Sequence, residues 1–400
     1  MIKKINSKKA SYRKIIVIVF AVAVVFSSGF FFAQNVEAKK KAKSKVTKWQ
    51  RLLEQNNVDQ SLWQKYLPKV SRAEYKKVTK NLGGQGAVSG SESLGPEIKI
   101  GLFKLTEDND KKVKITSNAG FNIKDKNGKL YKTIDTSAVS EIKANYTNKI
   151  FKVDDVAVSE ILTLETLSED GIFEIKNCIG QKNSDKKTNS IGCHQYDKDS
   201  PKYNKFRGKM ELSFDKNDDN EKEAWIINQL PLEQYTWGTG EIGDLDYEYY
   251  KLFSIVFRTY GYRNLEHKKS THEDHNFNLS DTSSDQIYKG YKIEGRYPNM
   301  KRAAEETKGK IITYKGETAL TPYCSWSNGT RKTYGDYPYL KKKKDKYGKH
   351  PTKKKKQLEE EGNHRQGLIA NGARKMINQG KKYNEVIQYY YPGVDVDGAY

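Results

Sequence analysis

Cysteine is scarce in this chain of 400 residues, with 3 in all, at positions 178, 193 and 324. No two of them form a C-x-x-C pair, which argues against a thiolate zinc site. Three readings stay open. Cys178 and Cys193 could close the polar loop between them as a disulfide. Cys193-His194 with Cys178 and Cys324 could supply a mixed nitrogen and sulfur zinc set. All three could equally be plain structural thiols. The preferred reading has no cofactor and no metal, with zinc at Cys178, Cys193 and His194 as the disfavoured alternative.

Long hydrophobic runs are absent apart from Ile15 to Ala33, interrupted only by Ser27, Ser28 and Gly29. Lys3, Lys4, Lys8, Lys9, Arg13 and Lys14 precede it, and Val36-Glu37-Ala38 follows as a small-residue cleavage sequence. Basic, then apolar, then A-x-A-like is the order of a secretory signal. The run is also long enough to span a bilayer as a retained anchor. Both alternatives place the bulk of the chain outside the cytoplasmic membrane. The expected location is therefore membrane-anchored and facing outward, or secreted to the cell wall.

The body of the chain also lacks a basic surplus. The formal net charge is +22, but residues 1–80 hold 19 Lys/Arg against 4 Asp/Glu, and residues 341–356 hold 10 Lys against 1 Asp. Everything else carries a net charge of −2. A basic reading groove for nucleic acid is excluded by that distribution. Adhesion of an arm and one loop to a polyanion, such as lipid headgroups or an anionic wall polymer, is favoured.

No internal repeat and no βαβ alternation is visible. Residues 1–38 read as signal peptide or anchor, residues 39–82 as a Lys-rich stalk of two short helices, and residues 83–96 as a Gly/Ser linker. Beyond lie alternating strands at Glu97–Phe103, Lys112–Ser117, Lys205–Ser213 and Ala224–Asn228, with a hairpin turn at Asp125-Lys-Asn-Gly128. Residues 179–203 read as a polar surface insertion. From Tyr247 the spacing turns helical, with Leu252, Phe253, Val256, Phe257 and Tyr260 on one apolar stripe. A further strand is expected at Lys310–Lys315 and a last helix at Gly367–Gln379. Mixed strands and helices without βαβ order predict an α+β domain over residues 97–395.

A series of short motifs runs through that domain: Phe206-Arg-Gly208, then Leu230-Pro-Leu-Glu-Gln-Tyr235 with Gly238 and Glu241, then Arg258-Thr-Tyr260. Asp285-Gln-Ile-Tyr-Lys-Gly290, Ala303 to Tyr314, Tyr323-Cys-Ser325, Gly362 to Ala373 and Tyr389-Tyr-Tyr-Pro-Gly393 follow. In this order they resemble the stage II sporulation protein D / LytB amidase-enhancer family. The turn before Glu241 is shorter than the family's, and Glu241-Ile-Gly stands where the family has its acid followed by Met-Pro. The resemblance implies a strand-rich SpoIID-like domain with a catalytic-cleft helix. It also implies lytic transglycosylase activity on peptidoglycan glycan strands.

That chemistry needs one carboxylic acid, kept protonated near neutral pH by partial burial, and no paired nucleophile. Glu241 is the candidate, with Tyr235, Trp237 and Ile242 as its apolar surroundings. A capping role is the structural alternative, for which Asp244 and Asp246 compete, and Glu233 is the better structural acid. Arg258 could bind a sugar carboxylate or pair with Glu241 or Asp285. Gln286, Tyr288, Tyr323 and Ser325 are the other substrate-binding candidates, although Tyr288 also suits a strand core. His364 could assist proton transfer or cap the last helix. Ser325 has no companion base at a recognisable spacing, which leaves a serine nucleophile without support. The competing function is a non-catalytic glycan-binding module that stimulates a partner cell-wall amidase.

Overall fold

The computed structural model describes residues 93–106, 112–180, 191–193, 203–216, 223–243, 245–267 and 272–400. The chain divides between residues 92 and 93, and residues 93–400 make up one unit. The signal or anchor, the stalk and most of the linker lie outside the described residues, as do His194, Asp244 and most of the 179–203 insertion. Among the described residues no helix is long and apolar enough to cross a membrane.

Two sheets carry the first half. The larger has seven strands in the order Leu279–Ser280, Glu97–Thr106, Glu223–Pro231, Lys209–Phe214, Ile161–Thr166, Phe121–Lys124 and Leu130–Ile134. The other has six, in the order Lys205–Phe206, Phe173–Ile175, Lys112–Ser117, Ser140–Asn145, Ile150–Val153 and Val156–Ser159. Alternating residues of both sheets meet in one core that includes Ile100, Ile115, Phe121, Ile142, Phe151 and Leu212. The period-2 pattern of the sequence produces this, because successive side chains of a strand point to opposite faces. The Asp125–Gly128 turn forms as expected, its carboxylate accepting from the Asn127 and Lys129 amides at 2.9 Å each.

The expected continuous strand at 205–213 is two strands. Lys205–Phe206 belongs to the six-stranded sheet and Lys209–Phe214 to the seven-stranded one. Gly208, at φ 72°, makes the crossing between them, and a side chain there would strike the Gln229 carbonyl and Leu230. Only glycine satisfies both demands.

The second half carries the helices, with short strands between them, the expected one forming at Lys310–Tyr314. Helix α1 spans Leu232–Gly238, and α2 spans Tyr247–Glu266 with Asp246 as its N-cap, accepting from the Glu248 amide at 2.8 Å. Helices α3 (Tyr291–Arg296), α4 (Pro298–Glu306), α5 (Lys355–Glu360), α6 (Ala370–Asn378) and α7 (Tyr383–Tyr390) follow. The expected last helix is thus α6, and the aromatic stretch after it is a further helix. The apolar stripe expected of α2 is also too narrow. Residues 252–259 are all buried, Ser254, Arg258 and Thr259 among them, because α2 is the central element of a second core. Ile312, Leu368, Ile369, Met376, Val386 and Tyr390 pack around it. The sequence shows one stripe because the polar residues on its other faces are buried with hydrogen-bond partners.

The structure is α+β, with a strand-rich first core and a helix-centred second one. Tyr235 and Tyr288 belong to the first core, Ile242 to the second, and Glu241 sits on the segment joining them.

Candidate active site

Helix α1 ends at Gly238, and the chain leaves it flat against residues 287–289. Thr239 pairs with Tyr288 in an antiparallel bridge. The Gly240 amide donates to the Ile287 carbonyl at 2.9 Å, and the Lys289 amide to the Gly238 carbonyl at 2.8 Å. Glycine is needed for this approach: a Cβ at Gly238 would overlap the Tyr288 ring. The Gly-rich turn therefore acts as a short strand, and Glu241 is the residue on which it ends.

The Glu241 carboxylate takes over where that ladder stops. Its Oε1 accepts from the Ile287 amide at 2.7 Å. Its Oε2 accepts from the Tyr323 hydroxyl. Tyr323 in turn accepts from Gln286 Nε2 at 3.3 Å, and Gln286 Oε1 accepts from the Tyr235 hydroxyl at 2.6 Å. Phe253 and Phe257 of α2 pack on the Tyr323 ring, with centroids 5.7 Å away in each case. Lys289 is close by, its ammonium donating to the Gly240 carbonyl at 2.6 Å.

Burial pushes the Glu241 pKa above the ordinary carboxylate value, because the site removes the charged form from water. The donated bonds from Tyr323 and Ile287, and the Lys289 charge, oppose that shift without cancelling it. Burial likewise holds the Lys289 ammonium below its usual range and the Tyr323 phenol well above its own. The site thus holds one carboxyl with a raised pKa and a donor on each oxygen for its charged form. A capping role is ruled out geometrically, since Asp246, not Glu241, caps α2.

Tyr323, Gln286, His364 and Ser325 stand in four different relations to the carboxylate. Tyr323 touches the carboxylate directly. Gln286 is fully buried behind Tyr323 and positions it. His364 is one step further away: its Nδ1 accepts from the Gln366 amide at 3.0 Å, so the proton sits on Nε2, which donates to the Tyr323 carbonyl at 2.9 Å. It supports the tyrosine backbone and does not cap α6. Ser325 is exposed, and its carbonyl accepts from the Asn371 amide at 3.2 Å.

Arg258 and Tyr288 are corrections. Tyr288 is core, 1% exposed, with its hydroxyl donating to Asn228 at 3.0 Å. Arg258 has no exposed surface, and it pairs with neither Glu241 nor Asp285. Its guanidinium grips Glu233 through two parallel bonds of 2.8 and 2.7 Å and donates to the carbonyls of Ala304 and Lys310. Glu233 Oε1 also accepts from the Gly309 amide at 2.8 Å and the Tyr400 hydroxyl at 2.6 Å. The pair ties α1 to α2, and no face of Arg258 is left for a sugar. Asp285 is engaged by the Tyr260 hydroxyl at 3.2 Å and by His272 Nε2 at 2.7 Å.

Two contributors, the Ile287 amide and Lys289, have no counterpart among the residues that the sequence singles out. The motif 285–290 draws attention to side chains, while the contribution that matters is an amide exposed by pairing with the turn. Of the cysteines, Cys324 is buried in the second core, and burial pushes its thiol up to about 11. The short strands Cys178–Gly180 and Ile191–Cys193 run parallel, with Cys178 opposite Ile191 and Cys193 opposite Gly180. Among the described residues no three His, Cys, Asp or Glu side chains gather as a metal set.

No curated protein matches the chain. Residues 220–314, which include α1, the Glu241 turn, α2 and the 285–290 segment, match the SpoIID family model, Stage II sporulation protein. That segment is similar to the SpoIID family, a family linked to peptidoglycan degradation.

Proposed function

We propose that this protein is an exported lytic transglycosylase that cleaves peptidoglycan glycan strands with Glu241 as its single acid and base. The observation that carries the proposal is the Glu241 carboxyl itself, half-buried at the end of the turn, with its pKa raised by burial and a donor on each oxygen. Protonated Glu241 gives its proton to the glycosidic oxygen, and the bond from that oxygen to the muramic C1 breaks. The resulting carboxylate is held by the Tyr323 hydroxyl and the Ile287 amide. It then takes the proton of the sugar's own 6-hydroxyl as O6 bonds to C1, which closes a 1,6-anhydro ring. No water enters and no second carboxylate is used, unlike the paired-acid glycosidases.

Purified sacculi treated with the wild type are expected to release anhydro-muropeptides or anhydro-glycans detectable by mass spectrometry. Glu241→Gln is expected to bind the same sacculi and release none. Release by the Gln variant would remove Glu241 from the role of acid.

One feature favours a second reading. Both carboxylate oxygens already accept from the protein, and those bonds favour the ionised form. A glycan-binding module that stimulates a cell-wall amidase would need nothing more reactive. A wild type that binds sacculi, never cleaves them and accelerates a partner amidase would establish that reading instead.

A further inference from the structure

Away from Glu241, the chain builds a cavity of about 400 Å³ whose lining includes Arg331, Lys332, Lys342, Lys355, Arg365 and Asn328. Five of these carry positive charge, and no acid lines the cavity. The adjacent acid, Glu359, is already shared: it accepts from Arg365 at 2.8 Å and pairs with Lys332 at 3.0 Å. Those two cations hold its carboxyl at about 2, so it is ionised across the physiological range. Among the described residues no ion pair is formed by Arg331, Lys342 or Lys355.

The two arginines are built in. Arg331 is 3% exposed and Arg365 is 4% exposed. Arg331 donates to the Tyr390 carbonyl at 2.5 Å, and Arg365 to Asn328 Oδ1 at 2.8 Å. Each nevertheless retains an Nε–H without a partner. Arg365 adopts a left-handed backbone, φ 60°, a conformation that costs a non-glycine residue and persists only where its surroundings impose it. The lysine run is anchored as well. Lys343–Lys344 pairs with Thr330–Arg331, and the buried Asp345 accepts from Ser327 Oγ at 2.9 Å and the Gly348 amide at 3.0 Å. Residues 341–356 are thus a fixed basic rim and not a loose charged loop.

Like charges gathered into a concave, partly desolvated site repel one another unless an anion joins them. We infer that this cavity binds phosphate groups of an anionic, phosphodiester-linked polymer. The class follows from the donors. The terminal guanidinium nitrogens of Arg331 and Arg365 are taken up by Gly367, Tyr389, Tyr390, Asn328, Thr330 and Glu359, so the two arginines supply fixed positive charge. The Lys342 and Lys355 ammoniums are the donors left for phosphate oxygens, a role lysine fills as a point charge. The lysines at 341–344 and 353–356 continue the positive surface beyond the cavity, as a polymer with regularly repeated charge requires. The source of such a polymer at the cell wall rests on the proposed function; the binding does not. Arg365 directly follows His364, which holds the Tyr323 carbonyl, so the cavity and the Glu241 site share one loop.

The test is equilibrium binding of the full-length protein to fluorescent poly(glycerol phosphate) at several salt concentrations. Lys342→Ala with Lys355→Ala is expected to weaken binding about tenfold or more and to flatten its salt dependence. Lys341→Ala with Lys344→Ala removes the same charge from the same run outside the cavity, and should cost less than about threefold. Equal losses from the two pairs would overturn the site in favour of diffuse charge. Equal affinity for polyglutamate would overturn the phosphate class, and absence of binding by the wild type would overturn the inference. Glycan cleavage is scored separately with Glu241→Gln, which should bind the polymer like the wild type, so failure of one reading leaves the other readable.

Discussion

Replacing Arg258 with methionine separates a structural arginine from a substrate-binding one. The side chain is fully buried, and its removal deletes the two-pronged bond to Glu233 together with the bonds to the Ala304 and Lys310 carbonyls. Glu233 would keep the Gly309 amide and the Tyr400 hydroxyl, but as a buried charge without a countercharge. Breaking one side of such a pair costs about 3–5 kcal/mol. For a unit of roughly 300 residues the unfolding entropy is about 0.6 kcal/mol per kelvin, so Tm should fall by about 5–8 °C. Glu233→Gln should cost a similar amount, and the double variant Glu233→Gln with Arg258→Met should cost clearly less than the sum of the two. Thermal unfolding of the four proteins by calorimetry or circular dichroism measures this. A variant Arg258→Met that melts within about 1 °C of wild type but no longer binds sacculi would refute the argument and restore Arg258 to the glycan site.

Three further outcomes follow from the same geometry. Tyr323→Phe removes a donor that favours ionised Glu241, so the alkaline limb of the pH–activity profile should move to higher pH; an unmoved limb would show that Tyr323 does not set the acid. Glu241 has a folded pKa above its unfolded value, so the native state binds the extra proton, and stability falls as pH rises from the unfolded pKa through the folded one. Glu241→Gln should therefore raise Tm at pH 8 and change it little at pH 4, and the opposite pH dependence would contradict a raised pKa. Gly238→Ala forces a methyl group into the Tyr288 ring, so it should reduce glycan release by tenfold or more while leaving polymer binding at the basic cavity intact. Unchanged release would mean that the turn does not need its flat approach.

Much of this arrangement is legible in the amino-acid sequence. Alternation marks the strand at Lys112–Ser117, the Asp125–Gly128 turn carries its own hairpin chemistry, and Glu233 stands out as the structural acid. What a sequence does not show is pairing over distance. Tyr323 lies 82 positions from Glu241 and Arg258 lies 25 from Glu233. A motif tells that a residue matters without telling which neighbour it faces, so Arg258 and Tyr288 look like ligands for glycan. Polar residues on α2 hide its burial for the same reason, since only the fold reveals that the Thr259 hydroxyl accepts from the Ile312 amide and that Arg258 meets Glu233. The amide of Ile287 carries no signal at all, because almost any residue type there offers the same N–H.

The two donors on Glu241 come from opposite sides of the domain. Ile287 neighbours Tyr288 of the sheet-built core, and Tyr323 packs on α2 of the helical one. The acid strength of this carboxyl is therefore a readout of how closely the two cores are seated. A separation sufficient to break either bond makes the proton harder to release, and reseating makes it easier. Under the proposed function, whatever wedges or clamps the cores would change how readily Glu241 gives up its proton.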